Sequence, residues 1–233
     1  MPRAMLDLTN MHGFSSLDLL ALALVFASWI GLGWVIEHPP ARWPSVSVVI
    51  TDYRREWMPQ FVTRQPRIFD AAVIDSLRQG TAFFASACMI AIGGGVALIG
   101  NSDRLRGLAQ DLTLDPATVQ VELKIILALA FLANALLKFV WAHRLFGYCA
   151  ILMAAVPNDP DHDDSEHRAL QAADINITAA KNFNRGLRSV YYALAALGWL
   201  FGPLGLTLAG LACTTVLLRR EFASQSRDVM LRR

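Results

Sequence analysis

The chain has 233 residues, 55% of them hydrophobic and only 17% charged, a balance far more apolar than an ordinary water-soluble domain carries. Its 21 Lys and Arg against 19 Asp and Glu leave a net charge of +2, which excludes the broad basic field of a sequence-independent nucleic-acid binder. Cys88, Cys149 and Cys213 lie far apart in apolar surroundings, with neither a CxxC pair nor a His at metal-ligand spacing, and read as buried thiols.

A bilayer's hydrocarbon core of ~30 Å needs about 20 helical residues, and four apolar stretches qualify. Together they predict an all-α fold: a polytopic transmembrane helical bundle with an amphipathic cytoplasmic helix and long helices projecting into the cytoplasm. The first span, 17–36, starts at a capping Ser16 or Asp18 and stops at His38-Pro39-Pro40. It is too long for a signal-peptide apolar region and is followed by no small-x-small cleavage site, so it is expected to be retained.

Residues 44–80 form a cytoplasmic helical segment. Val46, Val49, Ile50, Tyr53, Trp57 and Phe61 fall on one helical face, and Asp52, Arg54, Arg55 and Glu56 on the other. With Arg54, Arg55 and Trp57 as lipid-surface candidates, this helix suits an anionic inner leaflet; packing on other cytoplasmic helices fits the pattern equally well. Beyond Pro66, Asp70 and Asp75 stand near Arg67 and Arg78 at spacings that read as ion pairing on a helix surface.

The second span, 81–99, carries Ser86, Cys88 and Gly93 to Gly95, small residues that suit close helix packing or a loosened, gate-like helix. The third, 121–143, belongs to an apolar run from Val119 to Val156 that is about twice the length needed, so it is expected to project beyond the bilayer. Glu122 and Lys124 fall at its outer end. Asn134, Lys138, Trp141, Leu145 and Tyr148 share one stripe, which either lines a polar path or lets Lys138 snorkel to the interface.

An acidic loop, 157–170, follows. Asp161, His162, Asp163 and His167 are metal-ligand types, but the spacing lacks the Gly and terminal Glu of an EF-hand, and no metal or other cofactor is expected. The fourth span, 190–218, is broken at Gly202-Pro203 into either a kinked crossing or a re-entrant hairpin. Lys and Arg number six in the first connection, two in the second and four in the third, which puts the amino terminus outside; five more arginines follow Leu218. A single fourth crossing would carry that tail outside, against the charge rule, whereas a hairpin would not.

Arg64-Gln65-Pro66-Arg67-Ile68-Phe69-Asp70, Ala82-Phe83-Phe84-Ala85-Ser86 and Ile92-Gly93-Gly94 resemble blocks of an uncharacterised family of bacterial integral membrane proteins, a domain of unknown function (family five-ninety-nine). Lys138 to Phe146, Asn182 to Arg188 and Arg219-Arg220-Glu221-Phe222 resemble further blocks, and the likeness covers roughly residues 17–225. Gly147 stands where that family's pattern has an Asn. The resemblance implies a multi-pass protein of a bacterial cytoplasmic (inner) membrane, and supplies no activity.

No GxSxG, HExxH, P-loop or dinucleotide motif is present, so the chain is not expected to be an enzyme. The leading expectation is an oligomeric channel or transporter for an ion or small solute, anionic solutes included. Its polar path or inner mouth would use Asn134, Lys138, His143, Arg144, Asn184, Arg185 and Arg188. The alternative is a non-catalytic scaffold that binds lipid or a partner. Expected partners are the lipid bilayer and further copies of the chain, with no nucleic acid.

Overall fold

The computed structural model describes residues 15–101 and 121–232. The connection bearing Arg104 and Arg106, the start of the third apolar run at Val119, and Arg233 lie outside them. No strand occurs among the described residues.

Helix α1 spans Ser16–Glu37 and opens on a capping box, in which Ser15 Oγ accepts the Asp18 amide at 3.2 Å while the Asp18 carboxylate accepts the Ser15 amide at 3.1 Å. Its 22 residues extend ~33 Å at 1.5 Å per residue. Ser45 then joins two elements: its hydroxyl donates to the Ile36 carbonyl at 2.7 Å and accepts the Val48 amide at 3.2 Å, tying the end of α1 to the start of α2, Val46–Thr63. A cis Gln65-Pro66 bond leads into α3, Ile68–Gly100.

Helices α3, α4 (Val121–Ala154) and α5 (Asp164–Ala196) have 33, 34 and 33 residues, each ~50 Å long, about 20 Å more than a hydrocarbon core requires. They pack antiparallel in sequence, with Thr81 beside His143, Gly95 against Leu129, Asn134 bonded to Ser189 and Cys149 bonded to the Ala172 carbonyl. The excess length projects at one end, where α2 runs antiparallel along α5 from Ser47 beside Asn184 to Arg55 beside Asp174. Met58, Phe61, Val62, Ile74, Cys149, Met153 and Ala172 form the core of this projecting layer. Its outer faces carry exposed charges such as Asp52 and Asp174, so apolar burial there stabilises about 1.5–3 kcal/mol per large side chain.

After α5 a 3-10 turn, Leu197–Phe201, leads to Gly202, whose φ of +87° suits only a residue without Cβ, and into α6, Gly202–Phe222. The chain reverses here. Tyr192 Oη lies 2.8 Å from Thr214 Oγ1, and Arg220 donates to Tyr191 Oη at 2.8 Å although 29 positions separate them, ~43 Å apart on a continuous helix. Gly198 and Gly205 permit the close approach: a Cβ on Gly198 would lie 2.7 Å from the Gly205 carbonyl oxygen.

The tip of this hairpin is level with the start of α1, because Trp199 Nε1 donates to Asp18 at 2.7 Å. Helix α6 then runs parallel to α1, with Gly210 against Val25, and ends beside α2, where the Glu221 carboxylate accepts the Ser47 amide at 3.0 Å and hydroxyl at 3.1 Å. So the break at Gly202-Pro203 is a hairpin turn between two antiparallel rods that reach as far along the bundle as α1, and not a kink in one rod. Helix α7, Gln225–Leu231, folds the carboxyl-terminal segment back on α2: Arg227 Nε donates to the Pro44 carbonyl and Tyr53 Oη to that of Met230, both at 2.9 Å.

Candidate functional site

Where α1 ends, three helices bring ionisable groups together. Glu37 closes α1, and its carboxylate takes a two-point contact from Arg185, through Nε at 2.9 Å and through Nη2, and a third from Arg188 Nη2. Such a forked contact fixes guanidinium orientation as well as charge. Gly33, one turn back on α1, lies beside the Arg188 guanidinium, whose Nη2 would be in ordinary contact with a Cβ there, at 3.8 Å.

One turn deeper, Asn134 Nδ2 donates to Ser189 Oγ at 2.7 Å. The same antiparallel register places Lys138 level with Arg185, one turn along each helix. Among the described residues Lys138 has no ion pair and no hydrogen-bond partner on its side chain. Two guanidinium groups therefore share one carboxylate, and Lys138 stands at the same depth on α4. Asn184 belongs to the same level but bonds Ser47 Oγ at 3.4 Å, linking α5 to the α2 cap held by Glu221.

The polar stripe does not continue as a path. One turn beyond Asn134 and Ser189, Phe131 packs against Phe26 at 5.5 Å, Trp29 at 5.3 Å and Tyr192 at 6.0 Å between ring centroids. A large cavity of about 730 Å³ lies on the other flank of the α4–α5 pair, and its lining is apolar.

The other expected site residues scatter. His143 turns inward, with Nδ1 3.2 Å from Thr81 Oγ1 and 3.3 Å from the Arg78 carbonyl, whereas Arg144 stays exposed over the Tyr148 ring. Two of the three lipid-surface candidates are corrected, because the apolar face of α2 docks on the neighbouring helices. Arg54 enters the layer, donates to Asn176 Oδ1 and has its pKa drawn below the ordinary guanidinium value by burial. Trp57 Nε1 donates to Asp70 at 2.6 Å, and only Arg55 remains outside, 3.8 Å from Asp174.

Asp70, expected on a helix surface, is fully buried and is bonded by Trp57 and Arg64. Arg67 does not pair with it; its guanidinium donates to the Val62, Val156 and Pro157 carbonyls at 3.1, 2.9 and 2.8 Å. Lys124 is 3% exposed, within electrostatic reach of Asp18 at the end of the bundle where α1 starts.

In the acidic loop, Asp159 Oδ1 accepts the Asp161 amide and His162 Nδ1 the Asp164 amide, each at 3.1 Å. Asp161, Asp163 and His167 do not converge with His162, and no group of three His, Cys, Asp or Glu that could hold a metal ion occurs among the described residues.

Sequence reasoning missed Glu37, Ser189 and Glu221. Glu37 had a signal, since two arginines one helical turn apart at the entrance to a span favour a carboxylate nearby.

Among the described residues, four helical stretches are long and apolar enough to cross a membrane, the last, Asp164–Leu231, containing the hairpin. Fold and site thus define an all-helical membrane protein. The chain belongs to the family described as Protein of unknown function, DUF599, which it matches over residues 20–226. No curated protein and no solved structure matches it.

Proposed function

We propose that this is a non-catalytic, multi-pass membrane protein whose basic collar around Lys138, Arg185 and Arg188 binds anionic lipid head groups and seats the projecting helical layer on the membrane. Five crossings are assigned: α1, α3, α4, the hairpin end of α5, and α6. Both arginine-rich connections and the carboxyl-terminal arginines then fall at the α2 end, which the positive-inside rule assigns to the cytoplasm of a bacterial inner membrane.

The observation that carries this reading is Lys138, a cation without a partner among the described residues, level with Arg185 at the depth where α1 stops. A lysine there reaches lipid phosphate while its stem stays in hydrocarbon. Transport is less well supported, because the aromatic cluster of Phe26, Trp29, Phe131 and Tyr192 stands across the polar stripe. The lipid reading needs no pore and no second copy.

Native mass spectrometry from vesicles of mixed phosphatidylglycerol and phosphatidylcholine tests it. Lys138→Gln is expected to lower retention of the anionic lipid about fivefold, as loss of ~1 kcal/mol per basic residue implies. Lys138→Arg should restore it. Equal retention by wild type and Lys138→Gln, or solute flux above empty vesicles that Lys138→Gln abolishes, would overturn the proposal in favour of no lipid site or of transport.

A further inference from the structure

Helix α1 ends on an acid. The last turn of a helix is where the backbone dipole disfavours a carboxylate, and α1 has no basic residue there to offset it. Glu37 therefore stands against its local setting, and breaches of a local rule concentrate at functional sites. What holds the carboxylate is the guanidinium pair of α5. Arg185 gives it Nε, at 2.9 Å, and Nη2, the edge that forks onto a carboxylate or a phosphate alike, and Arg188, 7% exposed, adds its own Nη2. The Arg185 side chain is still 43% exposed. A guanidinium pair suited to phosphate thus opens at the depth where α1 stops and is filled from within the chain.

We propose that Glu37 is the specificity-determining residue of the basic collar: it fills the guanidinium pair, leaves Lys138 as the point of attachment, and so selects lipid heads with one negative charge against heads with two. The inference rests on the lipid reading given above. Its reason is electrostatic. Asn134 and Ser189 touch, and one turn along each antiparallel helix stand Lys138 and Arg185, whose fork holds Glu37. A phosphodiester at Lys138 brings one charge, which the lysine offsets. A phosphomonoester head, with a second pKa of ~6, brings close to two, and its second charge finds the forked edge of Arg185 taken and a carboxylate behind it. Arg188 does not serve that charge either, because it is buried beside Gly33 and its Nη2 is bonded to Glu37. A repulsive group placed against the wrong ligand is a general source of specificity.

The test is native mass spectrometry of the full chain from vesicles holding equal amounts of phosphatidylglycerol and phosphatidic acid with the same acyl chains, scored as the ratio of the two lipids retained. Wild type is expected to retain phosphatidylglycerol in excess. Glu37→Gln, which removes the negative charge and frees the fork, should raise the ratio of phosphatidic acid to phosphatidylglycerol about fivefold, the effect of one unit charge at a membrane surface. Glu37→Asp, which keeps the charge, should keep the wild-type ratio, and Arg185→Gln, which leaves Glu37 less neutralised, should lower it. An ion pair that serves only stability moves both lipids together and leaves the ratio alone. An unchanged ratio in Glu37→Gln, an equal rise in Glu37→Asp, or an excess of phosphatidic acid on wild type would overturn the inference. Lys138→Gln separates it from the reading beneath: total retention that falls with Lys138→Gln while the ratio ignores Glu37 keeps the collar and sinks the specificity, whereas total retention unmoved by Lys138→Gln removes both. Because Glu37→Gln leaves two guanidinium groups without their carboxylate, its thermal melt is taken with each lipid in turn. Phosphatidic acid should raise the melting temperature more than phosphatidylglycerol does, and equal effects would count against the inference.

Discussion

Asp70 has no exposed surface, and one of its two carboxylate oxygens takes hydrogen bonds from both Trp57 and Arg64 while the other has no partner. The residue thereby joins α2 to the first turn of α3, with an acid at a helix start where the macrodipole favours it. Asp70→Ala is expected to destabilise the detergent-solubilised protein by about 1–3 kcal/mol, because the Trp57 indole N–H loses its acceptor inside the layer. Asp70→Asn, which retains one acceptor, should cost less. A chemical or thermal melt that ranks Asn below Ala in stability would contradict this. In sequence Asp70 looked like a surface acid because Arg67 stood three residues away; Arg64 reached it instead, round the bend before α3, and Arg67 was taken by carbonyls of the α4–α5 connection. Local spacing ranks neighbours along one helix and says nothing of groups arriving from another.

At the scale of elements, α2 and the hairpin differ in how much of them was legible. The amphipathic pattern located α2 to within a few residues, but an apolar stripe is satisfied equally by acyl chains or by another helix. The small faces of α5 at Ala169, Ala172 and Ala173 settled the choice, since they let Met58 and Phe61 pack flush. The turn after α5 was narrowed by Gly202-Pro203 and by the charge of the tail. What made it a full-depth hairpin is the pairing of Gly198 with Gly205, two glycines that in sequence could equally loosen a single helix. Gly205→Val is expected to force the two rods apart, since its Cβ would be driven into the Gly198 carbonyl, a backbone group that cannot swing away. Protease protection of the α6 segment in membranes reads this out: cleavage between Leu206 and Leu217 in Gly205→Val but not in wild type is the expected result, and equal protection would count against the tight turn.

For the whole molecule, the reversal puts the amino-terminal end of α1 and the tip of the hairpin at one end, and α2, the acidic loop and α7 at the other. Single cysteines placed at Gln60, His162 and Ser226 should react with a membrane-impermeant maleimide from one side, and a cysteine at Ser15 from the opposite side. Ser226 labelled with Ser15 would contradict the five-crossing assignment. The sequence by itself determined that the chain is helical and membrane-embedded, where its apolar rods lie and which block of residues is basic, because hydropathy, helical period and charge are written along the chain. Only the tertiary structure decided that Glu37 takes Arg185 and Arg188, with Lys138 unpaired among the described residues, that aromatic rings close the stripe above Asn134, and that α3 and α5 stand apart over α4. These depend on which faces meet across helices distant in sequence, and packing of small against large residues selects those faces by shape, which no one-dimensional pattern records.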